Sequence, residues 1–146
     1  MSEVLVCDTS VVVHLFRRRL NPGDYGRWDE SIAFARLRKT ALAISAVTVA
    51  EFRAGALINR WGFRKMRLAD LLLGELLQLP VDRPSLDEWA RLRAAARARG
   101  VAISDNDLWI AATASVWGRT LVTCDRDHER IAGEMPVEVV LLAPPV

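Results

Sequence analysis

The sequence predicts an α/β fold: a central parallel sheet with helices packed on both faces, a three-layer α/β/α sandwich. Three observations lead there. Apolar runs of strand length alternate with helix-spaced apolar patterns from one end of the chain to the other. The strand-length runs at Val4–Cys7, Ala41–Ile44 and Leu121–Cys124 lead into polar residues at which a helix or loop begins. The length, 146 residues, is that of one domain able to bury most of its apolar surface, so residues 1–146 are read as a single unit.

Taken in order, 3–7 reads as a buried strand and 11–18 as a helix that runs into Asn21-Pro22-Gly23-Asp24, a cluster of loop formers. Residues 17–28 are therefore expected to form the most mobile loop. A helix is expected over 28–39, a second strand over 41–44, and helical spacing again over 47–59. Leu68, Leu71, Leu72 and Leu76 share a face of a long apolar helix over 63–79, which Pro80 stops, and Val81 opens a brief strand. Pro84 starts a helix that Gly100 ends, and the next helix, 105–117, ends at Gly118. Strands over 120–123 and 137–142 precede the Pro144-Pro145 tail.

Composition narrows the function class. No apolar run approaches the roughly 18 residues of a membrane span, and the first residues lack the basic flank and cleavage site of a secretory signal, so a cytoplasmic location is expected. Cys7 and Cys124 are not in a C-x-x-C pair and read as buried free thiols. Net charge is +2, and arginine supplies all basic residues except Lys39 and Lys65. That bias suits phosphate recognition, and equally suits a codon preference. The arginines of the 91–99 helix read as a solvated face.

The chemistry lies in the acids. Ligands of open parallel sheets bind beyond the carboxyl ends of the strands. Asp8 follows Val4-Leu5-Val6-Cys7, and Asp125 follows Leu121-Val122-Thr123-Cys124. Glu51 sits one turn into the helix after the second strand, and Asp107 in the first turn of the helix after Gly100. Singly, each has a bland explanation. Thr48-Val49-Ala50-Glu51 and Ser104-Asp105-Asn106-Asp107 fit capping boxes, and Asp8 fits an N-cap. Jointly, capping gives no reason for four acids at corresponding edges. Clustered carboxylates repel and raise each other's pKa unless a cation neutralises them. An all-oxygen set favours magnesium or manganese over zinc, and His14 and His128 stand isolated, His14 as a packing residue.

The blocks Val4-Leu5-Val6-Cys7-Asp8-Thr9-Ser10, Ile44-Ser45-Ala46-Val47-Thr48-Val49-Ala50-Glu51, Asp107-Leu108-Trp109-Ile110-Ala111-Ala112-Thr113-Ala114 and Leu121-Val122-Thr123-Cys124-Asp125-Arg126-Asp127 resemble, in order and spacing, the PIN domain family and within it the VapC-type toxin ribonucleases of toxin-antitoxin pairs. The resemblance implies metal-dependent hydrolysis of RNA and metal-binding acids at Asp8, Glu51, Asp107 and Asp125. It adds Asp127 as a further contributor, and Thr123 and Ser10 as hydroxyls that orient carboxylates or phosphate. It also implies a cognate antitoxin and a homodimer; the leucine-rich helix over 63–79 reads as core, and apolar surface that it leaves uncovered would suit either partner. The chain departs from the family where it has Cys124 in place of arginine and His128 in place of phenylalanine.

Other readings are weaker. A phospho-receiver module needs paired acids after the first strand and a late lysine, and no lysine follows Lys65. An aspartyl phosphatase needs a second aspartate where Ser10 stands. A PIN domain decayed to a binding module conflicts with the retention of all four acids. A PIN nuclease of RNA maturation shares the same residues and differs from a toxin only in biological role.

Overall fold

The computed structural model describes residues 3–143; the Pro144-Pro145 tail lies outside them. The elements are β1 (Val4–Cys7), α1 (Thr9–Leu20), α2 (Gly26–Glu30), α3 (Ile32–Arg38), β2 (Ala41–Ser45), α4 (Ala46–Ile58), α5 (Phe63–Glu75), β3 (Leu77–Leu79), α6 (Arg83–Ala98), α7 (Asp105–Trp117), β4 (Leu121–Thr123) and β5 (Val139–Leu141), with 3-10 turns at Pro22–Tyr25 and Arg126–Glu134. All strand pairs are parallel, in the order β3-β2-β1-β4-β5. The expected three-layer sandwich is the fold observed.

Alternation along β1 divides the core. Leu5 and Cys7 join Val11, Phe16, Trp28 and Phe52 on one face of the sheet. Val6 turns to the other, against Leu92, Leu108, Ile110 and Leu121. A strand buried on both sides must be apolar at every position, which is why β1 reads as a continuous apolar run. The chain leaves β1 toward β2 and β3, and returns to the opposite side for β4 and β5. The order therefore reverses between β1 and β4, and that crevice is where side chains from both halves meet.

Four expectations are corrected. Residues 17–28 are not a loose loop: α1 runs on to Leu20, and the turn and α2 that follow bury Tyr25 and Trp28. The Trp28 indole donates to the Ala143 carbonyl at 2.8 Å, and His14 packs between Tyr25 and Trp28 with Nδ1 2.9 Å from the Tyr25 hydroxyl. The helix expected over 28–39 is two helices, because Ser31 is extended and caps α3 by accepting from the Phe34 amide. The helix expected over 63–79 stops at Glu75, and Leu77–Leu79 pairs with β2 as an edge strand, so no strand begins at Val81. The turn at 126–134, where no element was expected, is wound as 3-10 helix around the buried residues His128 and Ile131.

Trp28 is 1% exposed and hydrogen-bonded across the sequence. Trp28→Ala should destabilise the protein by about 3–5 kcal/mol, read by urea denaturation; a loss under about 1 kcal/mol would restore the picture of a loose 17–28 segment.

Candidate metal centre

Asp8 ends β1 and begins α1. Its amide donates to the Val122 carbonyl of β4, and its Oδ1 caps α1 by accepting from the Val11 amide at 3.1 Å. Ser10 Oγ donates to the same oxygen at 2.6 Å. Thr123 at the end of β4 donates to Oδ2, and His128 Nδ1 lies 3.2 Å from it. Only 2% of Asp8 is exposed. Burial pushes its carboxyl up, but His128, Ser10 and Thr123 outweigh that and hold it below the usual carboxylate value, so Asp8 is an anion.

Thr123 also receives the Asp125 amide at 2.9 Å, and Ser10 receives the Cys124 amide at 3.0 Å. These bonds turn the chain after β4 so that Asp125 faces the crevice and caps the 126–134 turn through the Asp127 amide. From the other side, Ser104 caps α7 by accepting from the Asp107 amide, the capping geometry expected from sequence. Asp107, Asp125 and Asp127 then bring carboxylate oxygens within 4.8 Å of one another. Burial, together with Asp125 and Asp8, raises the Asp107 pKa against the opposing pull of His128.

Glu51 stands at the margin. Ser45, not Thr48, caps α4, so the capping box expected there does not form. Glu51 instead accepts from Thr9 Oγ1 at 2.6 Å and from Asn106 Nδ2 at 3.1 Å, ties to the neighbours of Asp8 and Asp107. Asp105 turns away to pair with Arg93. Arg91 of α6 and Arg99 at its C-cap pair with Glu88 and Glu134, in keeping with a solvated face.

His128 is the residue sequence reasoning missed. Fully buried, it lies between two acids, with Nδ1 at Asp8 and Nε2 3.3 Å from the Asp107 carbonyl and 3.8 Å from its carboxylate. Nδ1 lies off the line of a good hydrogen bond, so its contact with Asp8 is chiefly electrostatic. Burial works to lower the His128 pKa, but the two acids prevail and raise it. Cys7, by contrast, is buried and Cys124 half-buried; burial pushes the Cys124 thiol up to about 12 and Cys7 further up, so both are inert.

A donor set made of carboxylate oxygens fits a hard divalent cation. The convergence of Asp107, Asp125 and Asp127, with Asp8 beyond His128, leaves more negative charge than one buried imidazole can balance. Such a centre can hold a cation against a phosphate.

The His128-Asp8 contact fixes a pH dependence. His128 is raised on folding, so its contribution is complete below its unfolded value of about 6.5 and lost as pH climbs through the folded value; Asp8 is lowered, so its share persists down to about pH 4. In EDTA, the stability difference between parent and His128→Phe should be largest between those limits and shrink at higher pH. Urea titrations across pH 4–9 check this, and a difference that grows with pH would contradict it.

Comparisons with known proteins agree with this architecture. The PIN domain profile matches residues 5–134. Ribonuclease VapC5 of Mycobacterium tuberculosis is 37% identical over 101 residues, 68% of this chain and 75% of that protein. The VapC ribonuclease Y4jK of Sinorhizobium fredii is 32% identical over 136 residues, covering 89% of this chain and 93% of the relative. The crystal structure of VapBC-5, a member of the VapBC family of toxin-antitoxin systems from Mycobacterium tuberculosis, superimposes with a TM-score of 0.68 at 28% identity over 95% of this chain and 98% of that one. The VapBC2 structure from Rickettsia felis, at 18% identity and a TM-score of 0.75 over 95% of this chain and 98% of that one, shares the fold. With its acids gathered at the β1/β4 crevice, the chain belongs to the PIN domain family, on its VapC branch.

Proposed function

We propose that this chain is a magnesium- or manganese-dependent endoribonuclease, the toxin of a toxin-antitoxin pair. The observation that carries the reading is the meeting of Asp107, Asp125 and Asp127 at the topological switch of the sheet, with Asp8 joined to them through His128. Relatives named ribonucleases share this fold, and the similar VapBC-5 structure is named for a toxin-antitoxin system. The receiver and RNA-maturation readings have no observation of their own.

Asp8, Asp107, Asp125 and Asp127 would hold the ion, with Glu51 completing the acidic ring. When bound, the ion supplies Lewis-acid stabilisation of phosphoryl charge and activation of a water nucleophile. Ser10 and Thr123 fix the rotamer of Asp8 through its two oxygens. Thr9 and Asn106 hold Glu51 toward the same edge. Side-chain caps, by Asp8 itself at the start of α1 and by Ser104 at the start of α7, tie Asp8 and Asp107 to rigid elements.

A cognate antitoxin and a second copy of the chain complete the proposal. α5 and its C-cap turn Leu72 and Leu76 into the core, as the reading of this segment as a core helix expects; Leu57 and Ile58 at the end of α4 and Phe63 at the start of α5 are 73%, 78% and 83% exposed, apolar surface suited to such contacts. Among the described residues no helix is long and apolar enough to cross a membrane, which accords with the proposed cytoplasmic site of action.

Asp8→Asn and Asp107→Asn should each lower RNA cleavage by at least about 100-fold while keeping the parent's circular dichroism. Manganese at 100 times its Kd should stabilise the parent by about 2.7 kcal/mol, and Asp107→Asn far less. Cleavage at the parent's rate by both variants in a gel assay would overturn the nuclease assignment.

A further inference from the structure

A cleft of about 420 Å³ opens between α1 and α4, beside Glu51 at the margin of the acidic site. Thr9 and Glu51 form its end nearest the metal centre, and Arg17 and Lys65 stand at the other. Thr9, Val13, Phe16, Arg17 and Leu20 line it at helical spacing, so it follows α1 for about 16 Å. Its deep side is aromatic: Phe16, Phe52 and Trp61 pack at centroid distances of 4.8–5.6 Å. Among the described residues neither Arg17 nor Lys65 has an acidic partner; the Lys65 ammonium lies 4.6 Å over the Trp61 ring.

Gly55 marks a wall of the cleft with room for a side chain. It lies inside α4, where glycine weakens a helix relative to almost any other residue, and it lines the cleft. A Cβ built there would meet nothing within 4 Å. No turn and no close packing calls for a glycine; a side chain would project into the cleft.

Resting on the ribonuclease reading, we propose that this cleft is a substrate subsite that takes the nucleotides flanking the scissile phosphate. Arg17 and Lys65 meet backbone phosphates, and a base lies against Trp61, the one ring of the three that is not buried, beside the Lys65 ammonium. The single acid of the lining, Glu51, sits at the catalytic end, so the charge of the outer cleft suits an anionic strand. Aromatic surface beside cations is the combination that binds single strands without reading sequence.

The test is anisotropy of a fluorescein-labelled ten-nucleotide single-stranded RNA in EDTA, with the full-length parent, the Arg17→Ala/Lys65→Ala double variant and Gly55→Leu. Leucine favours the helix, so the second variant fills the cleft without weakening α4. Both variants should bind at least ten-fold more weakly. The double variant should also lower the slope of log K against log salt by about 1.4, the value for two lost phosphate contacts, whereas Gly55→Leu should leave the slope unchanged. Parent affinity in both variants would overturn the subsite, as would failure of the parent to bind the probe. Unchanged RNA binding with loss of inhibition by an antitoxin peptide would overturn it too, making the cleft a protein site. A parent that cleaves RNA while all three proteins bind alike sinks the subsite alone; a parent that cannot cleave RNA sinks the ribonuclease reading itself.

Discussion

A carboxylate placed at the end of a strand that is buried on both faces loses its water and must be compensated where it stands. At Asp8 the compensation comes from four directions: the Val11 amide and Ser10 hydroxyl at one oxygen, the Thr123 hydroxyl and His128 at the other. Those groups come from α1, from the end of β4 and from the 126–134 turn. The same contacts that keep Asp8 ionised therefore join the two halves of the sheet at the point where strand order reverses, and the positions of Asp125 and Asp127 follow from them.

The second constraint is repulsion. Asp107 arrives from the start of α7 into a place already negative, and burial with its acidic neighbours raises its pKa. His128 relieves part of this from inside the protein, touching both Asp8 and Asp107. Three carboxylates within 4.8 Å still exceed what one imidazole offsets. The proposed cation supplies the remaining positive charge from the open side of the crevice, which is also the side from which a phosphate would approach.

Much of this was legible in the residues, for identifiable reasons. Strands buried on both faces are continuous apolar runs, so β1, β2 and β4 declared themselves, and the residues that follow them had to lie at one edge. Ser104 as a cap placed Asp107. Local pattern failed where tertiary contact decides. Leu77–Leu79 continues the apolar run of α5, yet three backbone pairs with β2 make it a strand. Ser31 sits between helix formers on both sides, and its hydroxyl breaks them by capping the second. The 17–28 segment carries loop formers, but Tyr25 and Trp28 are drawn into the core through contacts with His14 and with Ala143, 115 residues on from Trp28. His128 gave no local signal, because its partners lie 120 and 21 positions away in sequence, at Asp8 and Asp107. Its presence where relatives of the resembling family carry phenylalanine was the one available clue.

The proposed nuclease depends on a hard cation held by acids that are distant along the chain. Anomalous diffraction from crystals grown with manganese tests this most directly. A peak at coordination distance, about 2.0–2.3 Å, from carboxylate oxygens of Asp107 and at least one of Asp8, Asp125 and Asp127 is the predicted result. A full-occupancy peak elsewhere, or none at saturating manganese, would contradict it.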